Sequence, residues 1–150
     1  MNRNYGKLKE VTTKRGKIHE YLGMTIDFTT RGKVKFRMDD YVEKMLDGFS
    51  VKFKSTDTAL SPASNTLMEV GQSKLLGKNQ AEEFHTNAAK CLFLCKRARP
   101  DVKPTTAVLA TRIQKTNEND WKKLIRLLKY INGTRKYHLT LSADNLRVVK

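Results

Sequence analysis

The chain is expected to adopt an α+β fold: a β-hairpin, then a mainly helical region, then a short closing strand. Three observations predict it. Apolar and basic residues alternate over 33–38, KVKFRM, the period-two signature of a half-buried strand. After residue 40 the apolar period lengthens to about 3.6 and returns at that value in three later stretches. Lys96-Arg97-Ala98-Arg99-Pro100 and Asn132-Gly133 then supply helix stops at the ends of two of them.

The elements follow in order. Residues 18–28, IHEYLGMTIDF, mix alternating and β-branched residues and predict one strand. Thr29-Thr30-Arg31-Gly32 is a turn signal leading into the strand at 33–38. There Val34, Phe36 and Met38 face one way and Lys33, Lys35 and Arg37 the other. In FRMDDYVEKML the aspartate pair Asp39-Asp40 precedes the first helical stripe of Tyr41, Val42, Met45, Leu46 and Phe49. The spacing Asp40 to Glu43 predicts a capping box, contributing about 1 kcal/mol, and both aspartates suit the positive end of the helix dipole. A polymerase aspartate pair instead sits in a tight turn between two apolar strands, so that the carboxylates converge on two Mg²⁺ ions. Only the first flank here is strand-like, so Asp39 and Asp40 are expected to be structural.

Residues 50–78 lack a period and predict a long surface connection, with Leu67, Met68 and Val70 available to pin it. Asn79-Gln80-Ala81-Glu82 predicts the cap of a second helix, whose inner stripe is Phe84, Ala88, Cys91, Leu92 and Cys95. Asp101 is placed to cap a third helix over about 102–115, with Pro104 in its first turn and Val108, Leu109 and Ile113 inward. The fourth helix is the best specified. Asn117 to Asp120 provide the cap, Trp121, Leu124, Ile125, Leu127, Leu128 and Ile131 form one side, and Asn132-Gly133 ends it. Lys122, Lys123, Arg126 and Lys129 crowd the other side, where four like charges repel and a phosphate backbone would relieve them. Residues 137–142, YHLTLS, return to a strand.

Composition bounds the function. Thirty Lys and Arg against fifteen Asp and Glu give a net charge of +15. The excess is spread along the chain, which points to a polyanionic partner and most simply to nucleic acid. No apolar stretch reaches membrane-spanning length. The first ten residues, MNRNYGKLKE, hold no apolar run of secretory type, so an intracellular location, cytoplasmic or nuclear, is expected. Cys91 and Cys95 share one helical face with no histidine near in sequence, which predicts buried free thiols rather than a zinc site.

The order of segments carries a resemblance. RGKIHEYLGMTIDF, GKVKF, DYVEKML, FHTNAAKCLFLCKRARPDV and DWKKLIRLLKYINGTR together resemble the reverse transcriptase region of copia-type retrotransposon polyproteins, over residues 14 to about 144. The most specific pieces are Tyr21-Leu22-Gly23-Met24, Arg99-Pro100-Asp101, and Leu128-Lys129-Tyr130-Ile131 with Gly133-Thr134. The resemblance implies a palm-edge hairpin and helix over about 14–49, a connecting segment over 50–78, a helical thumb and connection over 79–133, and the start of a link to RNase H over 134–150. The family's catalytic Tyr-x-Asp-Asp motif falls upstream of the chain's first matching segment. No catalytic residue and no cofactor are therefore expected within this chain, whereas the full-length family enzyme uses Mg²⁺. The resemblance further implies that Leu22, Gly23 and Met24 belong to a primer grip. Lys33, Lys35, Arg97, Arg99, Lys122, Lys123, Arg126 and Lys129 would contact the backbone of a primer–template RNA–DNA duplex. Other parts of the polyprotein are further expected partners. The alternative reading is a non-enzymatic basic nucleic-acid-binding protein, either a domesticated remnant or an unrelated module.

Overall fold

A computed structural model describes residues 14–143. The expectations that fall on the first ten residues and on 144–150 of the link lie outside the described residues. Four antiparallel strands form one sheet in the order β1-β2-β3-β4: β1 Ile18–Tyr21, β2 Met24–Asp27, β3 Lys33–Arg37 and β4 Leu139–Ser142. Four α-helices fill the stretch between β3 and β4: α1 Asp39–Asp47, α2 Lys78–Cys95, α3 Lys103–Thr111 and α4 Glu118–Gly133. The fold class is thus α+β, with a hairpin first, helices next and a short strand last.

The stretch 18–28 departs from its expected single strand. It folds on itself as the β1–β2 hairpin, with Tyr21 opposite Met24. Leu22 and Gly23, at φ 49° and 75°, form the two-residue connection. Two successive positive φ values are the mark of a type I′ turn, whose twist matches that of the flanking strands. Glycine adopts this geometry at no steric cost, whereas leucine is strained there. Because the Leu-Gly pair is flanked by alternating residues on both sides, the strand pattern runs through the turn and conceals it. The β2–β3 connection falls at the expected residues. The Thr29 backbone N–H donates to Asp27 Oδ1 at 2.7 Å, and Gly32 takes φ 72° before β3 begins. Strand β4 pairs with β3, setting Leu139 opposite Phe36.

Helix α1 starts two residues earlier than the capping-box reading requires. Its N-cap is Met38, with no side-chain cap bond. Asp39 and Asp40 occupy the first helical turn, where they favour the dipole, and Asp39 pairs with Arg37 through Nε at 2.9 Å and through Nη2. Helix α2 likewise begins after an extended Gly77 with no side-chain cap, against the expected cap over 79–82. The fourth helix keeps its expected box: the Asp120 N–H donates to Asn117 Oδ1 at 3.0 Å and the Asn117 N–H to Asp120 Oδ2 at 3.2 Å. Helix α3 is shorter than expected and is followed by a 3-10 turn at Ile113–Lys115.

The core lies among the helices. Val42, Met45, Leu46 and Phe49 from the α1 region meet Phe84, Ala88, Cys91 and Leu94 of α2, Leu109 of α3, and Leu124, Leu127, Leu128 and Ile131 of α4. Burying the four α4 side chains contributes on the order of 10 kcal/mol before entropy. Met24 and Phe36 carry the sheet onto this core.

Segment 50–78 contains no helix before its last residue and runs along α4 from its C-terminal end to its N-terminal end as a strap. Asn132 Nδ2 donates to the carbonyls of Lys54 and Asp57, Arg126 Nη2 to Ser61 Oγ, and Lys123 Nζ to the Glu69 carbonyl. Further along, Asn117 Nδ2 donates to the Gly71 carbonyl and the Leu76 N–H to the Thr116 carbonyl. Phe53 and Leu76 pack against the core near the two ends. Met68 and Val70, expected as pins, are exposed. The strap is held chiefly by polar groups of α4, which satisfy its backbone where no ladder does.

Candidate nucleic-acid interface

The residues expected to grip a phosphate backbone fall into three groups. On the sheet, register sets Lys35 opposite Asp27 on β2 and Thr140 on β4, and Arg37 opposite Thr25. Lys33, Lys35 and Arg37 therefore share a face, with Lys33 and Arg37 exposed. Arg37 also lines a cleft of about 590 Å³ with Leu22, Gly23, Met24, Asp39 and Lys44. The structure thus brings the expected primer-grip residues together with one strand cation. It places Leu22 and Gly23 at a hairpin tip rather than inside a strand.

Asp39 and Asp40 line the same cleft. Asp39 and Asp40 are successive residues in a helical turn, not at a strand-to-strand apex. One oxygen of Asp39 is committed to Arg37. Among the described residues no three His, Cys, Asp or Glu side chains gather where they could hold a metal ion.

Arg97 and Arg99 part company. Arg97 lies over the Phe93 ring, 3.5 Å from its centroid, and donates to the Phe93 carbonyl. Arg99 is 2% exposed, which corrects the expectation that it contacts phosphate. Its Nε donates to Asp101 Oδ1 at 2.9 Å, Nη2 to Asp101 Oδ2 at 2.8 Å and to Thr134 Oγ1 at 2.7 Å, and Nη1 to the Thr134 carbonyl at 2.9 Å. Tyr130 and Tyr137 present their ring faces to the same guanidinium, and the Tyr130 hydroxyl donates to Asp101 Oδ2. Asp101, expected as a helix cap, serves instead as the counter-ion. Burial pushes the Asp101 carboxyl up, but the Arg99 fork, its charge and the Tyr130 hydroxyl outweigh that and hold it below its ordinary value. Burial, with the Asp101 contact, raises the Tyr130 hydroxyl.

The third group is on α4. Lys122 is exposed, whereas Lys123, Arg126 and Lys129 are half-buried beneath the strap. Lys123 is the most committed, since it also lies 4.0 Å from Asp120 Oδ1, and Asp120 is itself paired with Arg112 Nε at 3.3 Å. Lys129 approaches Asp57 at 4.0 Å. The expected open basic face is therefore partly roofed by residues 54–71. Ser64, Thr66 and Asn119 join this group around a cavity, and nothing in their spacing announces them, because a strap without regular structure carries no periodic signal.

Both cysteines are free and buried. Burial, reinforced by Cys95, pushes the Cys91 thiol up to about 12, and burial also raises Cys95. Neither is an activated nucleophile. Among the described residues no helix is long and apolar enough to cross a membrane. No family model, curated protein or solved structure matches the chain.

Proposed function

We propose that this chain is a non-catalytic, phosphate-gripping portion of a copia-type retrotransposon reverse transcriptase, comprising palm edge, thumb and the start of the RNase H link. In this reading it holds primer–template duplex and performs no nucleotide transfer by itself. The observation that carries the nucleic-acid part is the +15 charge together with its placement. Lys33 on the sheet and Lys122 on α4 present cations to solvent, with Arg37 exposed but paired to Asp39, and a polyanion backbone offers these charges a partner. The family part rests on the ordered motifs. Two of them meet in space: Asp101 and Thr134 both bind the buried Arg99 guanidinium, and the Tyr130 hydroxyl donates to Asp101. In this reading the grip is sequence-independent, because the cations contact the phosphate backbone rather than base edges.

The test is nucleotide incorporation on a primed RNA template with Mg²⁺, run beside a duplex-binding measurement with the same purified chain. Binding without incorporation is the expected result. Incorporation above background would overturn the non-catalytic assignment.

A further inference from the structure

We infer that the cavity between the strap and the N-terminal half of α4 seats a single phosphate group. The cavity measures about 450 Å³ and is lined by Ser64, Thr66, Glu69 and Gly71 from the strap and by Asn119, Lys122, Lys123 and Arg126 from the helix. Its polar complement is that of an oxyanion site: the Ser64 and Thr66 hydroxyls, 2.9 Å apart and hydrogen-bonded so that one proton stays free, one carboxamide and three cations, around a volume that accommodates a phosphate.

Two facts sharpen the assignment. Lys123 is already engaged by the Glu69 carbonyl and by Asp120, so the uncommitted charge at the cavity comes from Lys122 and Arg126. Among the described residues neither has a carboxylate within ion-pair distance. In addition, Arg126 Nε is cut off from solvent and has no acceptor, although Nη2 reaches Ser61 Oγ at 3.1 Å. A guanidinium with an unmet donor next to a polar cavity is under-satisfied. An oxyanion entering the cavity, with a small turn of the Arg126 head group, supplies the missing acceptor. Glu69 is the one acidic residue lining the cavity, and it leaves a net positive charge there. The strap thereby acquires a function beyond roofing the helix, since it contributes Ser64 and Thr66 to a site that α4 alone could not complete. The seat deepens the nucleic-acid reading and rests on it only for the carrier of the phosphate, a backbone phosphodiester.

The test uses the full chain, labelled for amide chemical shifts, titrated first with inorganic phosphate and then with an RNA–DNA duplex. Phosphate is expected to shift Ser64, Thr66, Gly71 and Asn119 while leaving residues of β3 unmoved. Lys122→Gln is expected to weaken the apparent affinity about three- to tenfold. Lys122 is exposed and makes no hydrogen bond among the described residues, so that variant keeps the fold. Arg126→Lys, which preserves charge but not the fork, is expected to weaken binding less than Arg126→Gln. Shifts spread evenly over all basic surfaces, or no shifts, would overturn the seat. If the duplex still binds while the cavity residues stay silent, the seat fails and the nucleic-acid reading survives. If phosphate shifts the cavity and no duplex binds, the seat stands and that reading fails.

Discussion

Arg99 and Asp101, two residues apart across Pro100, face each other as a fork, with the guanidinium buried and the carboxylate at its outer rim. Through Thr134 and Tyr130 this pair ties the end of α2 to the end of α4.

Removing one partner of this pair exposes its energetic role. Asp101→Ala leaves the Arg99 charge buried without its counter-ion. It is expected to cost about 3 kcal/mol, at the lower end for a broken buried pair because Asp101 is partly exposed. Urea unfolding followed by circular dichroism measures this. A loss below about 0.5 kcal/mol would mean that the fork contributes nothing net.

The same pair gives stability a pH dependence of known sign. The folded Asp101 carboxyl lies below its ordinary value, so the unfolded chain binds the proton more readily. Its contribution is therefore full above about pH 4 and is lost as pH falls through the folded value. Asp27, lowered by the Thr29 side-chain and backbone hydrogen bonds, acts in the same direction whether or not Asp101 is present. Comparing wild type with Asp101→Asn isolates the former: their stability difference should shrink as pH drops from 5 to about 3. A difference that stays constant over that range contradicts the assignment.

Leu22 at φ 49° sets up a third prediction. Asparagine tolerates the left-handed region, and Asn-Gly is the preferred type I′ pair. Leu22→Asn is expected to stabilise the β1–β2 hairpin by about 1 kcal/mol. The readout is slower amide hydrogen exchange in β1 and β2, because this peripheral hairpin can open without global unfolding. Faster exchange would show that the Leu22 side chain makes a contact outweighing its backbone strain.

Cys91 and Cys95 should resist modification. With the Cys91 thiol raised to about 12 and shut inside the core, an aromatic disulfide reagent at pH 8 is expected to react only after the chain opens. Reaction should be at least about a hundredfold faster in denaturant, an order-of-magnitude expectation from the populations of open states. Prompt native-state reaction would place the thiols at the surface.

The sequence makes some of this architecture legible and hides the rest for physical reasons. Helix α4 is readable because one side is uniformly apolar and Asn117 and Asp120 stand at capping distance. The alternation in β3 is equally plain. Three features are hidden. The Leu22-Gly23 turn escapes notice because a hairpin whose connection is only two residues leaves the alternation on both sides uninterrupted. The Asp101 role does so because a carboxylate beside a proline fits a cap and a counter-ion equally well. The burial of Arg99 cannot be read from KRARP, where its neighbours Lys96 and Arg97 are outward or half-buried. As for the candidate interface, the α4 cations are visible by their angular crowding. Ser64, Thr66 and Asn119 are not, since only the path of the strap brings residues so distant in the chain to one cavity.

The measurement that bears most directly on the central claim is the salt dependence of RNA–DNA duplex binding by the purified chain. Gripping about four phosphates predicts a slope of about −3.6 in log affinity against log salt concentration. Charge reversal at Lys122, Arg126 and Lys129 should flatten that slope by about 1 for each phosphate no longer held. No binding at low salt, or binding with a slope near zero, would contradict the account.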